Sequence, residues 1–181
     1  MFLGTGVIIY QDDEMYSVLT NWHVIGTEHR LQVTTADGKT HLLHSPQQLG
    51  NVDLAIAQFD SDDTYQVATV ATEASKVGEK VYTAGFPLYD REITSDKIDR
   101  GADSFRLIQG EISLIPPQSL PKGYHLGYTD ETEMGMSDGP IFNTRFLIGI
   151  HGRGKYRDPS FGVYTFASGS RTKPLNARNY D

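Results

Sequence analysis

The chain has 181 residues, 38% of them hydrophobic and 10% aromatic, enough to fill the core of one compact unit or two small subdomains. A formal net charge of −7 does not suit sequence-independent nucleic-acid binding or docking on an anionic membrane, both of which need a basic surface. The absence of cysteine excludes disulfides, a thiolate nucleophile and a zinc–thiolate site, and it favours a reducing compartment.

The opening MFLGTGVIIYQDDE lacks a basic leader and a small-residue cleavage site, so no signal peptide is read and a cytoplasmic location is expected. No apolar run reaches the roughly 18 residues that would cross a membrane. GVIIYQDDEMYSVLT reads as two strands, Val7–Tyr10 and Tyr16–Leu19, around an acidic turn at Asp12-Asp13. A short helical turn is expected at Trp22–Ile25. RLQVTTADGKTHLL has Ala36-Asp37-Gly38 between two β-rich runs, a hairpin signal. DLAIAQFD is a short apolar strand, and Thr72–Val77 is a second candidate helix. KVYTAGFP is a strand, Leu88–Ser104 a charged surface loop, and SFRLIQGEISLI a long strand with Gly110 as a candidate bulge. GPIFNTRFLIGIHG gives two strands joined at Asn143-Thr144-Arg145, and GVYTFAS gives the last. The polar tail SRTKPLNARNYD is expected on the surface. Turn signals every eight to twelve residues predict an all-β fold.

Three of these frames carry chemistry. LTNWHV places His23 where a strand gives way to a turn. NVDLAIAQF places Asp53 at the start of an apolar strand. GMSDGP places Ser137 in a glycine-flanked loop. Each alone is commonplace: a packed histidine, a turn aspartate, a chance Gly-x-Ser. The set supplies a nucleophile, a base and a group to orient the base. Gly135 permits a turn in which the N–H groups of Gly135 and Ser137 point at one spot, as oxyanion stabilisation needs.

With GTGVII, LTNWHV, VDLAIAQF, VGEKVYTAGFP, GMSDGPIFN and LIGIHG falling in order, the chain resembles the trypsin-like (chymotrypsin-fold) serine proteases. It is most similar to compact bacterial members without disulfides, such as HtrA-type proteases and glutamyl endopeptidases. The resemblance implies two six-stranded antiparallel β-barrels with the active site in the cleft between them. Residues 1–75 would form the first barrel with His23 and Asp53. Residues 76–181 would form the second, with Ser137 and the specificity pocket. The first barrel would be short of its N-terminal strand, since the chain starts almost at GTGVII. The resemblance further implies that His23 is the general base, Asp53 its orienter and Ser137 the nucleophile, with Gly135 and Ser137 as the oxyanion hole. Protein or peptide is the substrate class, and no cofactor or metal is implied. Met136 stands where zymogen-activated animal relatives carry an aspartate.

Two points stay open. Asp138 replaces the glycine that such proteases carry after the nucleophile. It is read as facing solvent and tolerated. Facing inward, it would raise the proton affinity of His23 and oppose the oxyanion. At an effective dielectric of about 20, a like charge about 5 Å away costs roughly 3 kcal/mol, about a hundredfold in rate. The pocket is the second point. Thr132 and His151, aided by Arg153, stand where glutamyl endopeptidases meet a substrate carboxylate. Glu131, flanked by Asp130 and Glu133, would instead select basic residues, and His151 also reads as a packed strand histidine. The pair His41 and His44 has a spacing seen in metal sites but lies on a strand, where positions three apart face opposite sides. His29 and His125 read as surface or packing residues. The alternative to an active endopeptidase is a pseudoprotease or peptide-binding module that retains the cleft. An intracellular protease also has to be restrained, which suggests a module governed by other domains of a longer protein.

Overall fold

The computed structural model describes residues 4–26, 31–87, 105–130, 132, 136, 138–155 and 158–164; within the last two spans, the side chains of 153–155, 158, 159, 163 and 164 lie outside the description. Two β units follow one another. In the first, β1 (Val7–Asp12) turns through Asp13 into β2 (Met15–Thr20), with Asp13 in the left-handed region at φ 50°. Aspartate tolerates that conformation better than most side chains. After helix α1 (Trp22–Ile25), β3 (Leu31–Thr34) and β4 (Thr40–Gln48) form the hairpin expected at Asp37-Gly38, where Gly38 takes φ 82°. β5 (Ala55–Asp60) inserts between β2 and β4, giving the order β1-β2-β5-β4-β3. β2 and β5 pair without a shift from Met15 opposite Asp60 to Thr20 opposite Ala55. These central strands are almost wholly buried, which explains their near-continuous apolar runs.

The second unit is a closed barrel. β6 (Lys80–Gly85), β7 (Arg106–Leu114), β8 (Tyr124–Tyr128), β9 (Pro140–Phe142), β10 (Leu147–Lys155) and β11 (Asp158–Tyr164) close in the order β10-β11-β8-β7-β6-β9. The expected all-β architecture holds, with six strands in the second unit and five in the first among the described residues. No helix of the described residues is long and apolar enough to cross a membrane.

Three local expectations change. β8 is an additional strand; its interior Gly127 sits against Leu114 and Phe161, and four of its five residues are buried, so it has no alternating pattern to read. Gly110 is not a bulge towards β6, since it pairs Val81 in an unbroken register. Its missing side chain instead leaves room for Asp130, whose Oδ1 would lie 1.7 Å from a Cβ there. Thr72–Val77 is not helical. Backbone bonds from Ala68 to Ile8, Ala71 to Leu147 and Gly78 to Ile112 stretch this segment across both units, and it has no apolar face to repay helix nucleation. The loop read at Leu88–Ser104 and the C-terminal tail lie outside the described residues.

One apolar cluster joins the units. Leu19, Leu49, Leu54 and Ile56 of the first pack with Tyr124, Leu147 and Ile150 of the second. The end of β2, the loop before β5 and the start of β5 therefore meet the second barrel at this cluster.

Candidate active site

Asn21 ends β2 in an extended conformation, and its buried side chain donates to the Asp53 carbonyl. That bond ties the start of α1 to the loop before β5. His23 sits in the single turn of α1, with its side chain about one-third exposed. Asp53 is 3% exposed and reaches it with both oxygens. Oδ1 accepts the His23 backbone N–H at 2.9 Å, and Oδ2 accepts from Nδ1 at 2.8 Å. Oδ2 also accepts from the Tyr124 hydroxyl at 2.6 Å, and the Asp53 N–H donates to the Lys122 carbonyl at 2.8 Å. Burial alone would raise the Asp53 carboxyl. The hydrogen bonds from His23 and Tyr124 overcome it and hold the group at about 2. The same bond to Asp53 raises His23 above its ordinary value; burial opposes the rise, the charges of Asp138 and Asp53 add to it, and Lys122 lowers it. With Nδ1–H committed to Asp53, Nε2 is the nitrogen left to accept a proton.

Nε2 faces Asp138, whose Oδ1 lies 3.9 Å away. The expectation that Asp138 faces solvent is therefore wrong: its side chain is fully buried. The backbone explains why. Asp138 stands at φ 71°, its N–H donates to the His151 carbonyl at 2.6 Å, and the His151 N–H returns to Gly139 at 2.8 Å. This turn is locked to β10, and the lock points the Asp138 side chain inward. Burial pushes its carboxyl up to about 8, His23 opposes the rise, and Asp53 adds to it. Gly139 approaches β6 so closely that a Cβ would lie 1.9 Å from the Ala84 carbonyl oxygen. Met136, fully buried, packs against Gly85. Ser137 and Gly135, the expected nucleophile and oxyanion-hole residues, lie outside the described residues, as does Glu131.

The residues expected at the specificity pocket form a second polar group. His151 on β10 is 2% exposed and its Nδ1 hydrogen-bonds the Tyr128 hydroxyl on β8. Burial lowers its pKa to about 4, so it is neutral at pH 7. The Thr132 hydroxyl meets Ser160 Oγ at 3.1 Å, and Ser160 donates to the Asp130 carbonyl at 2.7 Å. Asp130 does not line a cleft as a free acid. It is buried, accepts from Thr83 on β6 at 2.6 Å, and burial raises it to about 6 against that bond. Arg153 lies on β10 opposite Phe161, and its side chain is outside the description. His41 and His44 diverge, His41 to Tyr65 at 3.1 Å and His44 to Asp60 at 3.0 Å. His125 meets Ser119 at 3.3 Å, and His29 lies outside the described residues.

Residues 4–150 match the trypsin-like peptidase domain model. The chain belongs to the trypsin-like peptidase family. Among solved structures, the serine endoprotease from Yersinia pestis is similar at a TM-score of 0.70 and 22% identity, over 91% of this chain and 54% of that one. That likeness shows the fold, and the chain spans about half the length of that structure. No match is found among the curated proteins. Within this peptidase fold, sequence reasoning found His23 and Asp53 but missed Asn21, Tyr124 and Tyr128, the groups that hold Asp53 and His151. Tyr124 and Tyr128 come from β8, the strand whose pattern was not legible.

Proposed function

We propose that the chain is a serine endopeptidase in which His23 is the general base, Asp53 orients it and Ser137 is the nucleophile. The observation that carries this reading is the two-point clasp of His23 by Asp53, through the backbone N–H and through Nδ1. The clasp fixes the tautomer that leaves Nε2 as acceptor and turns it towards the segment that carries Ser137. In the reaction, the Ser137 hydroxyl adds to the peptide carbonyl and its proton passes to Nε2. The N–H groups of Gly135 and Ser137 stabilise the oxyanion. The imidazolium then protonates the leaving amine, and water completes hydrolysis of the acyl-enzyme.

For the residue before the cut, neutral His151 supports an acidic or amide side chain over a basic one. An Nδ1 that accepts from Tyr128 leaves Nε2–H as a donor, and Thr132 adds a hydroxyl. A peptide library cleaved by wild type and not by Ser137→Ala tests both points. Cleavage after Glu, Asp or Gln is expected. Cleavage after Arg and Lys contradicts the pocket assignment, and equal cleavage by Ser137→Ala contradicts the nucleophile.

One observation favours a second reading, a catalytically impaired peptide-binding module: the buried carboxyl of Asp138 stands at the nitrogen that has to take the proton. The lack of cysteine supports location in a reducing compartment, where a protease has to be restrained, and control by other domains of a longer protein would supply that restraint.

A further inference from the structure

We propose that Asp138 is a positioning residue that holds a proton against His23 Nε2, so that the base is free only after that proton has left the pair. The inference rests on the assignment of His23 as general base.

Three observations carry it. Both Asp138 oxygens are buried without a hydrogen-bond partner among the described residues. Such a carboxyl is costly to ionise unless a cation compensates it. The slot it fills is built for it. A Cβ on Gly4 would lie 2.0 Å from Asp138 Oδ2, so only glycine in the segment before β1 leaves space, and Val24 of α1 borders the same point. The backbone at 138 is held at φ 71° by the β10 lock, so the side chain cannot turn outward without breaking that turn.

Among the described residues, the titratable groups around the carboxyl are few. From α1 comes His23, with Nε2 at 3.9 Å. From the loop before β5 comes Asp53, a like charge. β10 offers backbone from His151, and the segment before β1 offers Gly4. Lys122 lowers the proton affinity of His23. Among the described residues, His23 is thus the group placed to share a proton with it. A shift of about 1 Å brings the two atoms to hydrogen-bond distance. With the proton on the carboxyl, the O–H points at the Nε2 lone pair. With the proton on Nε2, an imidazolium lies between two carboxylates, Asp53 at Nδ1 and Asp138 at Nε2. Either arrangement occupies the lone pair that has to take the Ser137 proton. Loss of the shared proton to water leaves Nε2 free. The two groups titrate as a coupled pair, and burial of Asp138 raises the loss of the shared proton above the ordinary carboxylate range.

The test uses the full chain, ¹⁵N-labelled at histidine, as wild type, Asp138→Asn and Asp138→Gly, with His23→Gln to assign the resonance. Glycine suits φ 71° and asparagine tolerates it, so both variants fit the turn. The His23 titration is followed by NMR, and fluorophosphonate labelling rates are followed from pH 5 to 10. The expected result is a His23 midpoint lower in both variants than in wild type, with labelling at pH 7 on the order of tenfold faster and rates converging at high pH. Coincident His23 midpoints in all three chains overturn the inference, as does slower labelling of both variants at every pH. If no chain labels, the protease reading fails, and the NMR midpoints alone decide whether the proton is shared.

Discussion

At the scale of single residues, the site is two acids placed in different environments around one imidazole. Asp53 ionises because three hydrogen bonds reach it, and Asp138 resists ionisation because none from the described residues does. Replacing Asp53 by Asn removes the acceptor that fixes the Nδ1–H tautomer. Peptide hydrolysis should fall by about 10³–10⁴-fold with the fold retained by circular dichroism; a loss under tenfold would remove Asp53 from the mechanism. Asp138 makes an opposite-signed prediction for stability. Its folded value, about 8, lies above the unfolded value of 3.8, so the folded chain binds the extra proton between them. Stability from this group is full below pH 3.8 and declines as pH rises to about 8. Asp138→Asn removes that decline. Its Tm should exceed that of wild type at pH 8 by about 3 °C or more, with a smaller difference at pH 5. Equal Tm differences at the two pH values would show that the carboxyl is not the buried acid described. The sequence showed that a charge follows Ser137. It did not show which way the charge points, because direction depends on a backbone bond to His151, thirteen residues away.

At the scale of elements, β8 matters more than its five residues suggest. It supplies Tyr124 to Asp53 and Tyr128 to His151, linking the second barrel to both polar groups. Tyr124→Phe keeps the packing and loses the bond to Asp53 Oδ2. A stability loss of about 1 kcal/mol is expected by urea unfolding, along with a shift of the acid limb of activity; an unchanged urea midpoint would deny the bond any role. Gly110 in β7 gives a steric test. A Cβ there meets Asp130 Oδ1 at 1.7 Å and Asp130 N at 2.9 Å, so Gly110→Ala should destabilise by about 2–4 kcal/mol. Wild-type stability in that variant would contradict the buried position of Asp130. Strands with turn signals at both ends were legible, as were His23 and Asp53, because their frames are local. β8, Tyr124 and the role of Gly110 were not, because each acts through a partner distant in sequence.

At the scale of the whole molecule, the proposed chemistry depends on two units held in register. Leu147, fully buried, packs with Leu19, Leu54 and Ile56 across the junction, and its carbonyl accepts from Ala71. A shared core of this kind predicts one cooperative unfolding transition. The fluorescence of Trp22, in the first unit, should coincide with the far-UV signal of the whole chain. Leu147→Ala should cost about 2–5 kcal/mol and move both signals together. Separate transitions would mean that the junction does not couple the units. The all-β class was plain from composition and turn spacing, and the order of the motifs carried the resemblance to the peptidases. The five-stranded first sheet and the shared cluster depend on three-dimensional packing that no local pattern encodes.

Everything proposed for this site depends on Ser137 being a nucleophile activated by His23. The most direct measurement is intact-mass analysis and peptide mapping of the chain after treatment with a fluorophosphonate at pH 9, where the shared proton has left. A single phosphonyl adduct on Ser137 is expected, absent from Ser137→Ala and strongly reduced in His23→Ala. No adduct on wild type or Asp138→Gly, or an adduct that persists in Ser137→Ala, would contradict it.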